Sequence, residues 1–167
     1  ILTSQFTLVA TNVPYLGRGK QDETLQNYCE RTYPEARADL ATCFVERCLE
    51  FCAGSSTALV TPQNWLFLSR YSGLRIKLLR SSKWDFVARL GPRAFETIGG
   101  EVVSVALLQL SRVRAAINSS IAGLDVEKGE SPTAKAEGLG VNAVESRLVS
   151  DILSHSDAIV SFADRRI

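Results

Sequence analysis

Asn12, Val13, Pro14 and Tyr15 stand directly behind a run of β-type apolar residues, in the stretch "FTLVATNVPYLGRGK". A strand that stops at asparagine places that side chain beyond its carboxyl end, where ligands of α/β sheets sit. The Asn12 amide oxygen is an acceptor on a short, stiff side chain. Pro14 fixes its own φ and biases Val13 towards an extended conformation, which can aim the Asn12 or Val13 carbonyl outward. Tyr15 adds a flat aromatic face. Two converging carbonyl acceptors and one aromatic plate suit a planar group bearing an NH₂, whose nitrogen lone pair is then presented to an electrophile. The same four residues are also ordinary turn chemistry, with Tyr15 as a cap on the core.

The bulk composition sets the frame around these residues. The chain has 167 residues, enough for one domain with a sizeable core. Hydrophobic residues make up 46% and charged residues 22%, as in ordinary globular proteins. No apolar run approaches the ~18 residues of a membrane helix, and the opening residues lack a secretory pattern. The chain opens without Met a few residues before a strand, so a piece of a longer protein is expected. The four cysteines, Cys29, Cys43, Cys48 and Cys52, form no CxxC pair, and the single histidine, His155, is far from them. They are expected as reduced, apolar core residues of a cytoplasmic protein rather than metal ligands, although Cys48 and Cys52 would lie one turn apart on a helix. "GRGK" at 17–20 lacks the spacing of a phosphate loop.

Net charge is +1, which by itself names no partner. Between positions 70 and 93, however, seven basic residues face one acid, Asp85. That stretch is either a phosphate-facing surface or a solvated face balanced by acids elsewhere.

The pattern along the chain predicts an α/β fold with a mixed, mainly parallel sheet. Residues 6–11 read as a buried strand, and 17–35 as a polar, mobile stretch. Helical spacing of Ala41, Phe44, Val45, Cys48, Leu49 and Cys52 predicts a helix over 35–52, ended by Gly54. A strand over 56–62 follows, then a short irregular or helical piece at "QNWLFL" and a helix over 71–82. Strands at 84–91 and 101–111, joined across "GPRAFETIGG", predict a hairpin that makes one strand antiparallel, the longer one central. Residues 113–140 read as a linker or a loosely helical segment, and Val141, Val144, Leu148 and Ile152 as one last amphipathic helix. The division expected is 1–112 and 113–167, the second part leading towards a further domain.

These motifs, in this order, resemble the adenine-N6 DNA methyltransferases, whose signature at a strand end is Asn-Pro-Pro-Tyr. The similarity runs through "DLATCFVERCLEFC", "STALVTPQNWL", "YSGLRIKLLRS" and "LGPRAFETIGGEVVSVALLQLSR", roughly residues 5–112, and is nearest to large restriction–modification and phage-defence enzymes. It implies the C-terminal half of a Rossmann-like S-adenosylmethionine-dependent catalytic domain. The Asn12 side chain and Val13 carbonyl would accept hydrogen bonds from the adenine N6 amino group. Pro14 would hold the turn, Tyr15 would stack on the flipped base, and Phe95 would pack on it from another side. Arg18 and Lys20, just beyond the signature, are expected on the substrate side. The glycine-rich cofactor loop of such enzymes precedes the signature and is absent from this chain, so S-adenosylmethionine is expected of the full-length parent.

Double-stranded DNA is the expected partner, with restriction or phage-defence subunits, and the piece alone is expected to be inactive and to self-associate. Val13 departs from the proline of the signature. The main-chain carbonyl survives that exchange, but some rigidity is lost, an effect of about 0.4–1 kcal/mol. The alternatives are a protein-glutamine or RNA methyltransferase, a degenerate methyltransferase fold serving as a DNA-binding scaffold, or an unrelated α/β module.

Overall fold

A computed structural model describes residues 4–95, 103–116 and 118–162. Six strands form one sheet: β1 (Phe6–Asn12), β2 (Cys52–Pro62), β3 (Lys83–Gly91), β4 (Val105–Ser111), β5 (Ser120–Asp125) and β6 (Glu145–Leu148), in the spatial order β1-β2-β4-β3-β5-β6. The helices are α1 (Glu23–Thr32), α2 (Leu40–Glu50), α3 (Ser72–Ser81), α4 (Pro132–Val141) and α5 (Val149–Leu153). Strands β1 and β2 run parallel, as do β3 and β5. Strand β4 is antiparallel to β2 and β3, and β6 is antiparallel to β5. The α/β class, the β3–β4 hairpin and the internal position of β4 are as the sequence predicts; a second antiparallel strand, β6, was not expected.

Four local expectations are corrected. Strand β1 is an edge, not a buried strand: among the described residues it pairs on one side only, and Phe6 and Leu8 are 41% and 57% exposed. The polar stretch after the signature is ordered as a 3-10 turn, Arg18–Lys20, followed by α1, whose first turn is capped by Asp22 accepting from Leu25 N at 3.0 Å. Helix α2 begins at Leu40 rather than 35, because Asp39 caps it through Ala41 N at 2.9 Å. It ends before Cys52, and Gly54 lies instead inside β2 with φ +68°. Glu46 is buried on α2 and takes an ion pair from Lys77 at 2.7 Å. Strand β4 begins at Val105, and the preceding part of the expected strand at 101–102 lies outside the described residues.

The largest correction concerns residues after 112. The expected linker contributes β5 to the interior of the sheet, and the expected last helix contributes β6 to its edge. The single helix expected across 141–152 does not form: Val141 ends α4, Leu148 ends β6 and Ile152 lies on α5. Gly123 obscured the strand signal of "SIAGLD", yet the site requires it. A Cβ there would meet the Phe162 ring and the Val87 carbonyl at 2.5 Å.

The core holds Trp65, Trp84, Tyr71, Leu74, Leu78 and Phe162, all nearly or fully buried. Arg75 is fully buried with them and donates to the carbonyls of Trp65 (2.6 Å), Leu68 (2.8 Å), Ala158 (3.0 Å) and Asp157. It thereby clamps the chain after α5 to the turn after β2. Burial lowers the affinity of this guanidinium for its proton, and the Asp157 carboxylate opposes that. All four cysteines are free and buried, as expected, although Cys52 belongs to β2 rather than to α2. Among the described residues no cluster of three metal-ligating side chains occurs, and no helix is long and apolar enough to cross a membrane.

Candidate functional site

Asn12 is the last residue of β1, facing Val60 of β2 in the parallel register. Its side chain is exposed and makes no hydrogen bond among the described residues. The turn starts at Val13, whose N–H donates to the Val60 carbonyl at 3.2 Å and whose side chain is buried at 3% exposure. Valine therefore does at this position what proline could not: it donates to the neighbouring strand and fills the core. Pro14 is exposed. Tyr15 is half-buried, its ring packed between the main core and the smaller cluster around Leu90 and Val105. Its hydroxyl is buried without a partner among the described residues. Burial, with the Asp39 carboxylate adding to it, pushes the phenol up to about 12.

The loop beyond the signature is stitched to the start of α2. Asp39 Oδ1 accepts from Leu16 N at 3.3 Å, and Leu40 N donates to the Leu16 carbonyl at 3.0 Å. Arg18 N donates to the Ala38 carbonyl at 3.1 Å, and Gln21 Nε2 to the Leu16 carbonyl at 2.8 Å. A cleft of about 540 Å³ opens beside this loop, with Tyr15, Arg18, Lys20, Asp39, Asn64 and Arg70 among its walls. Three cations thus converge beside one acid whose Oδ1 is already engaged by two backbone N–H groups.

Of the residues singled out from the sequence, Tyr15, Arg18 and Lys20 share this cleft; Asn12 stands at the strand end outside its lining, and Phe95 is exposed on the connection after β3, also outside it. Arg18 is engaged with Glu30 at 3.2 Å, whereas Lys20 has no ion pair among the described residues. Asn64 and Arg70 were missed as individual side chains. The signal for Asn64 was its place just past the end of β2, the strand beside β1, where the same strand-end rule applies.

The basic stretch at 70–93 resolves into separate fates. Arg75 is buried on carbonyls. Lys77 pairs with Glu46, Lys83 with Asp85 at 2.5 Å, and Arg89 with Asp125 and Glu127 at 3.1 and 2.7 Å. Arg70 alone of the seven lies on the cleft, stacked over Tyr71 at 5.0 Å from the ring centre. The stretch is therefore not one phosphate-facing surface.

The sheet, with four strands running one way and β4 and β6 the other, ends β1 at the Asn12 turn and has a methyltransferase-like fold. Solved structures agree on that fold. The methyltransferase subunit of a type I restriction-modification system from Streptococcus thermophilus superposes with a TM-score of 0.68 at 13% identity, over 93% of this chain and 37% of that one. The family model described as Eco57I restriction-modification methylase matches residues 2–94, and the chain belongs to that family.

Two curated relatives are similar in sequence. Adenine-specific methyltransferase PglX of Lacticaseibacillus casei (strain Zhang) is 41% identical over 105 residues, 61% of this chain. Adenine-specific methyltransferase BrxX of Escherichia coli O9:H4 (strain HS) is 34% identical over 104 residues, 62% of this chain. The chain spans only 8% and 9% of the length of these two proteins.

Proposed function

We propose that this chain is the base-holding segment of a longer adenine-N6 DNA methyltransferase of restriction-modification or phage-defence type, working in the cytoplasm on double-stranded DNA. The observation that carries the reading is the uncommitted Asn12 amide at the end of β1, three residues before an aromatic that borders a cationic cleft. The family membership of residues 2–94 and the names of the two relatives point the same way.

In this reading Asn12 Oδ1 and the Val13 carbonyl accept the two N6 hydrogens of an adenine turned out of its duplex. That holds the amino plane and directs the nitrogen lone pair, so the protein acts chiefly by positioning. Tyr15 stacks on the base and Phe95 packs on it from the connection after β3. A neutral tyrosine is what stacking needs, and a phenol pushed up to about 12 stays neutral at physiological pH. Lys20, Arg18 and Arg70 receive the phosphates of the target strand, the sequence-independent part of duplex affinity.

S-adenosylmethionine, a sulfonium methyl donor, is the cofactor of this chemistry. The described residues do not supply a cradle for it: the turns from β2 to α3 and β5 to α4 lack the closely spaced glycines such a site uses, and Gly17 and Gly19 in the turn from β1 to α1 line the cleft of Arg18, Lys20 and Arg70, whose positive charge repels a sulfonium. Its binding is assigned to other parts of the full-length protein.

The test is expression of the full-length protein and its Asn12→Ala variant in a host without adenine methylases, with N6-methyladenine read by mass spectrometry of digested DNA. The mark is expected from the parent and not from the variant. A parent that leaves no mark overturns the reading and moves protein-glutamine or RNA acceptors, or a scaffold, to the front.

A further inference from the structure

Gln63 is the first residue after β2 and is 3% exposed. Its backbone N–H donates to the Ser104 carbonyl at 2.9 Å. Its side-chain Oε1 accepts from Gly91 N at 3.1 Å, and its Nε2 donates to Glu127 Oε1 at 3.2 Å. Gly91 and Ser104 are the two ends of the connection between β3 and β4 that carries Phe95. One residue therefore ties both ends of that connection to the strand end beside Asn12, and braces the tie against the end of β5.

The chemistry of this node admits few substitutes. Gly91 N–H can only donate and an ionised Glu127 can only accept, so the group between them must accept on one side and donate on the other. A side-chain amide does both at once, and those partners also fix which way it points. Glu127 cannot turn aside, because its second oxygen holds Arg89 at 2.7 Å. Gly91 admits no side chain either: it has φ +67°, and a Cβ there would meet Glu127 Cγ at 2.5 Å.

We infer that Gln63 is a positioning residue of the methyl-transfer site, setting the connection that carries Phe95 in register with the Asn12 turn through a paired amide–carboxylate contact with Glu127. The inference rests on the reading of Phe95 as a side chain that packs on the flipped base. Gln63 itself touches no substrate.

An exchange of the two head groups tests it. Gln63→Glu sets two carboxylates against each other; Glu127→Gln leaves one oxygen between two donors, Gln63 Nε2 and Arg89, while Gly91 N–H keeps its acceptor. In Gln63→Glu/Glu127→Gln the new carboxylate accepts from both Gly91 and the new amide, which still offers an oxygen to Arg89.

The full-length protein is used, on a duplex whose methylated site has first been mapped from DNA that the parent modified. Single-turnover methyl transfer is measured, together with the fluorescence of 2-aminopurine at the target position, S-adenosylmethionine affinity and the melting temperature. Each single exchange is expected to slow transfer at least about ten-fold, the scale of one buried group left unmatched, and to reduce the 2-aminopurine signal. Cofactor affinity should hold, and the double exchange should return both readouts to within about three-fold of the parent.

Parent-like transfer by the single variants below their melting points, whatever their loss of stability, would make the contact merely structural and overturn the inference. So would a double exchange no better than the worse single one. A parent that methylates no adenine is seen before any variant is made; it overturns the function reading and this inference together.

Discussion

Asp39 Oδ1 and Leu16 N lie 3.3 Å apart, and the same oxygen accepts from Ala41 N at 2.9 Å. One carboxylate thus caps α2 and fixes the residue after Tyr15. Replacing Asp39 by Ala removes an N-cap, worth about 0.5–2 kcal/mol, and frees the loop that presents Tyr15. The expected outcome is a lower urea midpoint together with a loss of adenine methylation by the full-length protein greater than the lost stability explains. Asp39→Asn keeps an acceptor oxygen and should restore most of both. Equal methylation by the alanine variant and the parent at a temperature where both are folded would disconnect the cap from the site.

Tyr15 separates ring from hydroxyl. The hydroxyl is buried and unpartnered among the described residues, so Tyr15→Phe should leave stability at neutral pH unchanged or raised, and methylation intact. Tyr15→Ala removes the stacking face, worth about 1–3 kcal/mol, and should lower turnover while leaving duplex affinity, set by phosphate contacts, nearly unchanged. Gel-shift titration beside single-turnover methylation measures the two. Loss of duplex binding with normal turnover per bound complex would remove the stacking role.

The raised Tyr15 phenol also predicts an alkaline weakness. An ordinary tyrosine ionises near 10 in the unfolded chain and Tyr15 near 12 in the folded one. The folded state holds the proton longer, so its advantage is complete below pH 10 and is lost as pH rises from 10 to 12. Tyr33, raised further by burial and by Glu50, adds to the same loss. The urea midpoint should fall across that window, and less steeply for Tyr15→Phe. Equal slopes for the two proteins would place the phenol in solvent.

The parts of the fold that sequence patterning exposed are those held by simple periodicity: Leu74 and Leu78 on α3, with Tyr71 at its N-cap, and the long apolar β4. The signature turn was readable because Asn, Pro and Tyr each do something local. What escaped was tertiary. Strand β5 is disguised by Gly123, chosen for close packing against Phe162 rather than for strand propensity. Helix α1 is polar, with Cys29 its single buried residue, so no apolar stripe announces it. Arg75 looked like one more surface cation, and only its four backbone carbonyls reveal it as interior. The cleft joins residues from the β1, α2 and β2 ends, a meeting that no single stretch encodes.

Arg75 supports a prediction of its own. Its guanidinium satisfies the carbonyls of Trp65, Leu68, Asp157 and Ala158, and no side chain other than arginine offers that many donors in a fixed fork. Arg75→Met fills similar space but leaves the carbonyls of Trp65, Asp157 and Ala158 without that donor in the core, while the Leu68 carbonyl keeps Tyr71 N at 3.1 Å. The expected loss is at least about 3 kcal/mol, from several buried groups at roughly 1–3 kcal/mol each. Urea unfolding of the chain reads it directly. Arg75→Lys should recover only part, since an ammonium has three donors. A methionine variant within about 1 kcal/mol of the parent would mean that water or relaxation reaches these carbonyls.

The free edge of β1 sets the behaviour of this chain in isolation. Phe6 and Leu8 are exposed beside backbone groups that pair on one side only among the described residues. An apolar, unpaired edge is a template for another strand. The isolated chain should therefore self-associate at micromolar concentrations in sedimentation velocity. Leu8→Lys, which adds a charge at the edge and removes apolar area without touching the core, should shift it towards monomer, with little change in far-UV circular dichroism. Association that ignores Leu8→Lys but yields to Leu148→Lys would place the contact on β6, the opposite edge of the sheet, where Leu148 is 46% exposed. In the full-length protein the same Leu8→Lys change should reduce soluble yield or methylation, because the proposed cofactor half would have to cover that edge.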